Sequence, residues 1–192
     1  LDAQRLAFTH TQNAYDDYAY AFLSVGLGQG KRISEGNAPT GNANEVVDKF
    51  LDYRVHENDD YNLNHVGRTY YGDKMDLTST KNFDFSFPNV LTDSPCWVKT
   101  ALAGRNFQPA NFEVLVDNDK KATYNIASTT SSTQSPYGYN VGGWVTSQPV
   151  SETVRVTLKH NSLGYNTNSE GYVDYIIVNA WRRLSLSGGQ ID

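Results

Sequence analysis

Any chemistry in this chain would have to come from a small set of side chains. There is one cysteine, Cys96, and there are four histidines, His10, His56, His65 and His160. A nucleophilic thiol needs a base close by and an electropositive setting. Cys96 instead stands between Pro95 and Trp97 at the start of an apolar run, where a free cysteine behaves as a small hydrophobe. A lone cysteine also excludes an intrachain disulfide and a cysteine-rich metal site. His56-Glu57 followed by His65 approaches a zinc-protease helix. That motif sets its two histidines one helical turn apart, and here the gap from 56 to 65 is too long. Asp59, Asp60, Asp73 and Asp76 offer oxygen ligands of the kind calcium takes, but the glycine and terminal glutamate of a calcium loop are missing. They are expected to be solvated loop acids. Residues 25–32 (VGLGQGKR) fail as a phosphate loop, because Val25 and Arg32 occupy positions that need Gly and Ser or Thr. They read as a glycine-rich turn. No residue is assigned a catalytic, cofactor-binding or metal-binding role.

Exposed aromatics are the remaining candidates. Tyr137, Tyr139, Trp144 and Tyr165 lie in or beside the longest loops. Rings so placed could stack on a glycan or on a partner. The plainer alternative is that Trp144 plugs a sheet edge and the tyrosines cover it, since aromatics carry large apolar area wherever they sit.

The elements that must hold these residues read as strands. Residues 83–87 (FDFSF) and 154–158 (VRVTL) alternate apolar and polar. Residues 97–103 (WVKTALA), 112–116 (FEVLV) and 172–178 (YVDYIIV) have the same two-residue period or the composition of a buried strand. Asp117-Asn118-Asp119-Lys120 is a tight connection, residues 160–164 close the Val154 strand, and residues 128–140 (STTSSTQSPYGYN) are a Ser/Thr-rich loop. Before residue 56, residues 18–25 (YAYAFLSV) and 46–55 (VVDKFLDYRV) favour strand, and residues 56–63 could hold a short helical turn.

Seven or eight short strands after residue 66 imply an all-β fold. The expected architecture is an antiparallel β-sandwich of jelly-roll, galactose-binding-like type with an extra N-terminal strand segment. Residues 1–55 form that strand or hairpin segment, which could end a preceding β domain. Residues 56–192 form the sandwich. At 192 residues with 39% hydrophobic and 12% aromatic content, the chain can build one such core and is not a disordered protein. A net charge of −5 argues against nucleic acid as a partner, and no apolar run is long enough for a membrane-spanning segment. The chain starts without Met, and Leu1 to Arg5 lacks a leader's basic-then-apolar pattern, so it is expected to be a piece of a longer protein.

Three stretches together carry a resemblance. The first is 10–13 (HTQN), 17–26 (DYAYAFLSVG) and 30–33 (GKRI). The second is 50–59 (FLDYRVHEND), 61–63 (YNL) and 67–73 (GRTYYGD). The third is 171–184 (GYVDYIIVNAWRRL) with 186–190 (LSGGQ). In this order they resemble the region preceding the catalytic domain in PorU-type sortases of the type IX secretion system. These are gingipain-like cysteine peptidases at the surface of Bacteroidetes. One departure is Tyr70-Tyr71-Gly72-Asp73, where the family carries Trp-Phe-Gly-Glu. The resemblance implies a non-catalytic module. The parent's catalytic Cys and His would lie downstream, and no residue here matches them. The parent would remove the C-terminal secretion signal of its cargo and help attach the cargo to lipopolysaccharide. An extracytoplasmic place at the cell surface or outer membrane follows. The implied partners are the downstream peptidase domain of the same chain, with cargo C-terminal signal domains or lipopolysaccharide beside it. The module would act as a scaffold or as a recognition surface for the cargo signal. The alternative is a carbohydrate-binding module of a surface protein.

Overall fold

The computed structural model of the chain describes residues 7–11, 21–26, 28, 30, 36, 41–42, 45–65, 69–163, 168–187 and 190–191. Among the described residues, nine strands build two antiparallel sheets: β1 (Lys49–Glu57), β2 (Gly72–Asp76), β3 (Ser79–Ser86), β4 (Cys96–Arg105), β5 (Ala110–Val116), β6 (Asp119–Ile126), β7 (Tyr139–Ser147), β8 (Thr153–Ser162) and β9 (Glu170–Arg183). A short pair, β10 (Leu186–Ser187) and β11 (Gln190–Ile191), follows.

The first sheet runs β1-β9-β4-β7, with β2 beside β1 on the same edge of β9; the second runs β3-β8-β5-β6. Set aside β1, and the orders β2-β9-β4-β7 and β3-β8-β5-β6 are those of a jelly roll. Every connection from β2 to β9 changes sheet except the β5–β6 hairpin. That hairpin turns on Asp117 and Asn118, whose φ values of 49° and 70° give the left-handed backbone a two-residue loop needs.

The core lies between the sheets and follows strand alternation. β5 buries every second residue, with Phe112, Val114 and Val116 inside. β3 contributes Phe83 and Phe85, β4 Val98 and Leu102, β8 Val154, Val156 and Leu158, and β9 Val173, Ile176 and Val178. Burying each such side chain contributes about 1.5–3 kcal/mol. His160 also lies inside, its ring 5.0 Å from Phe112. Burial drives its imidazole pKa below the ordinary value.

β9 carries a bulge. Ala101 of β4 faces Tyr175 and Leu102 faces Val173, so Asp174 has no opposite number. Its outer face is covered by residues 7–10. The Asn179 side chain accepts from Phe8 N at 2.7 Å and donates to Phe8 O at 3.2 Å, and Phe8 packs on Tyr53 at 4.8 Å.

Several sequence expectations shift. β1 runs across the 55/56 boundary and pairs with β9 along its whole length. The turn expected at 56–63 is displaced to a 3-10 turn at Leu63–His65, because β1 continues to Glu57. β8 extends to Ser162, further than the closure expected from residue 160. The strand expected at 18–25 is not present over 21–25, and residues 18–20 lie outside the described residues. Phe22 and Leu23 are almost fully exposed, with no described strand beside them.

Gly171 gives a test of inter-sheet closeness. A Cβ there would lie 2.6 Å from the Phe112 ring and 3.0 Å from His160. Gly171→Ala is expected to lower unfolding stability by about 1–3 kcal/mol, read as a shift in urea midpoint. An unchanged midpoint would mean the sheets are not packed this closely.

Candidate functional site

The two sheets end differently on their two sides. On the β6/β7 side Tyr124 reaches across, and a Cβ at Gly143 would sit 3.2 Å from its hydroxyl. On the opposite side, β1 and β3 are both terminal strands and leave an open cleft of about 480 Å³. Its walls are Arg54, Val55 and His56 of β1 and residues 82–86 of β3.

Residues 52, 54 and 56 of β1 face inward, as do Lys81, Phe83 and Phe85 of β3. These three positions of β1 are polar where a core strand would be apolar, while Phe50 on the same face packs under Arg182. His56 Nε2 lies 2.5 Å from Asp73 Oδ2, and Lys81 Nζ donates to Asp73 Oδ1 at 3.3 Å. Asn58 Nδ2 donates to the same carboxylate at 3.2 Å. His56 also packs on Phe83, ring centres 4.7 Å apart. Deeper in, Arg182 Nη1 and Arg54 Nη1 both donate to Asp52, at 2.8 and 2.9 Å. Arg54 lies over the Phe87 ring at 5.3 Å, and Arg182 Nε donates to Pro88 O at 2.6 Å. On the rim Arg155 makes a two-pronged bond to Asp84 at 2.7 and 2.8 Å.

Both inner carboxylates are held toward the ionised form. Burial alone would raise the Asp73 pKa, but the bonds and charges of His56 and Lys81 outweigh it and hold the group below the usual value. Asp52 is likewise lowered, because bonds from Arg182, the Tyr53 backbone and Arg54 outweigh burial. Asp73 was expected to be a solvated loop acid. It sits instead in β2 with its side chain 18% exposed, held by partners that the sequence separates by up to 17 positions.

A second charged cluster lies by the β9 bulge. Burial, then the charges of Glu57 and Asp59, push Asp174 up to about 6, while His10 pulls it down. His10 bonds Glu57 and meets the Tyr175 ring edge at 5.5 Å. Among the described residues no group of three acids, histidines or cysteines is arranged to hold a metal ion.

The other candidates from the sequence are scattered. Tyr137 is 39% exposed in its loop, with the Arg105 guanidinium over its ring at 4.4 Å. Tyr139 packs against the core, while Trp144 lies on the opposite face of β7 beside Lys99 at 5.7 Å. These three do not share one surface, and Tyr165 lies outside the described residues. Cys96 is fully buried, and burial, followed by the Asp117 charge, pushes its thiol up to about 12. A thiol so placed stays protonated and makes a poor nucleophile.

No protein-family model matches the sequence, and no curated protein matches it. The fold is similar to that of dimeric latent PorU from Porphyromonas gingivalis, with a TM-score of 0.61 and 14% identity over 77% of this chain. The match spans 14% of that much longer chain. Looser likenesses are a family 35 carbohydrate binding module from Clostridium thermocellum (TM-score 0.39, 10% identity, 69% of this chain and 98% of that one). Another is the CBM36-1 domain of a multidomain xylanase from the hindgut metagenome of Trinervitermes trinervoides (TM-score 0.37, 9% identity, 66% and 96%).

The two carboxylates give opposite pH signatures. Asp73 has a folded-state pKa below its unfolded one, so its contribution is complete above the ordinary carboxylate range and is lost as pH falls through the folded value. Asp73→Asn is expected to cost about 1–2 kcal/mol at neutral pH, with the gap closing on acidification. Asp174 has a folded value of about 6 against 3.8 unperturbed, so its ionisation costs stability as pH rises through that window. Asp174→Asn should stabilise the protein at neutral pH and make no difference below about pH 4. Chemical unfolding across pH reads both; parallel curves for either variant and the parent would refute its assignment.

Proposed function

We propose that this chain is a non-catalytic β-sandwich module of a cell-surface type IX secretion sortase, placed before its peptidase domain. Its role is to act as a scaffold for that domain or as a recognition surface for the cargo signal. The observation that carries the reading is the shared sandwich fold with PorU, set beside the three sequence stretches that resemble the pre-catalytic region in the same order. The small share of the PorU chain that is matched agrees with a module inside a larger enzyme.

Two physical features support a non-catalytic role. The only thiol is sealed in the core. Apolar side chains stand in solvent on segments outside the sandwich, with Phe22 97%, Leu23 93% and Val46 87% exposed. Such side chains are expected where a neighbouring domain docks. In this reading the module works outside the cytoplasm, and its first partner is the peptidase domain that follows it.

The test uses the chain and the peptidase domain of its parent, produced separately. The two should associate in solution, and Phe22→Asp with Val46→Asp should weaken the association. The chain alone should not cleave a cargo-like peptide, and Cys96→Ala should change nothing. Hydrolysis abolished by Cys96→Ala would overturn the reading. Binding to surface glycans without any association with the peptidase domain would favour a carbohydrate-binding module instead.

A further inference from the structure

We infer that the cleft between β1 and β3 accepts an extended peptide strand that carries carboxylates on its inward-facing, alternate positions and uncharged residues between them. The inference concerns the partner of the cleft and stands without the sortase reading.

Three features converge on it. The first is backbone. β3 pairs with β8 on one side only, and five consecutive β3 residues, 82–86, line the cleft. An edge strand presents unpaired N–H and C=O groups at alternate residues, which a further strand would satisfy about 4.8 Å away. Edge strands are commonly shielded by prolines or bulges. β3 has neither, and its pairing with β8 runs unbroken from Ser79 to Ser86.

The second feature is charge. An incoming strand beside β3 would turn alternate side chains toward Arg54, His56 and Lys81. In and around the cleft four cations, Arg54, Lys81, Arg155 and Arg182, stand against three carboxylates, Asp52, Asp73 and Asp84, and His56 adds to the cationic side when protonated. The chain as a whole carries a net charge of −5, so this is a local reversal of sign. Arg54 reaches both Asp52 and the Tyr53 carbonyl through Nη1, and its Nε and Nη2 form the other edge of the guanidinium. Those two donors match a carboxylate in geometry. The positions between would lie beside Asp84 on the outer face, which disfavours a second row of acids there.

The third feature is the floor. Phe83 and Phe85 form an apolar base under the cations, suited to the methylene stem of a glutamate. The cleft is open to water, so a carboxylate entering it keeps part of its hydration and the cost of burying it stays small.

The test is calorimetric titration of the whole chain with a capped peptide of alternating glutamate and threonine. It should bind, and its alternating lysine and threonine counterpart should not. Arg54→Glu should weaken binding about tenfold or more, and Lys120→Glu on the far β6 edge should leave it unchanged. If charge reversal unfolds the sandwich, Arg54→Gln gives the same comparison. N-methylation of every second peptide amide should abolish binding in one phase and spare it in the other. Equal loss from Lys120→Glu and Arg54→Glu would reduce the effect to general electrostatics and overturn the proposal. Tolerance of both methylation phases, or no binding of the glutamate peptide, would do the same. Either failure would leave association with a peptidase domain untouched, so the two readings fail separately.

Discussion

One strand constrains everything else. β1, β2 and β4 each hydrogen-bond to β9, so the first sheet is assembled on this single 14-residue strand. Its inner face supplies Val173, Ile176, Val178 and Ala180 to the core. Its outer face holds residues 7–10 through Asn179. Its far end places Arg182, which ties β1 to the loop before β4 by bonding Asp52 and Pro88 together. Gly171 lets Phe112 and His160 pack directly against β9, and the bulge at Asp174 shifts its register against β4. A shift of β9 by one residue would reverse its two faces and break all of these at once.

The sandwich is closed on one side by an aromatic and on the other by charges. Tyr124 against Gly143 is a packing contact, with little room for anything else. Between β1 and β3 the gap is bridged by His56, Asp73 and Lys81, and by Asp52 with two arginines. Charges turned inward at a sheet edge hinder indiscriminate strand pairing, because an apolar intruder would strip their water. The same charges define which strand is not hindered. Protection and selectivity then come from one set of residues.

Much of the fold could be read from the sequence. β3, β4, β5, β8 and β9 show alternation or a β-branched run because one or both faces are buried, and the Asp117-Asn118 turn shows because its backbone needs such residues. β2 and β6 were harder to see. β2 buries little beyond Met75 and Gly72, and β6 is an edge strand whose Lys120 and Lys121 pair with nearby acids in solvent. The cleft was not legible at all. His56, Asp73 and Lys81 come together only because β1 stacks over β3 across the sheets, and local patterning carries no record of that stacking. Asp73 looked like a loop acid because it follows a glycine in a stretch without clear alternation, while its real environment is set by β1 and β3. The aromatic candidates show what sequence proximity leaves out. Tyr139 and Trp144 lie five residues apart on β7, and strand alternation sends them to opposite faces.

The most direct measurement is native-state amide hydrogen exchange resolved residue by residue. A jelly roll built on β9 with a free β3 edge requires the slowest amides to lie in β9, β4, β5 and β8. Along β3 it requires amides bonded to β8 to be slow and the alternate ones, pointing into the cleft, to exchange quickly. Rapid exchange through residues 176–180 would contradict the central place of β9. Uniform protection along β3 would mean that its outer edge is already paired.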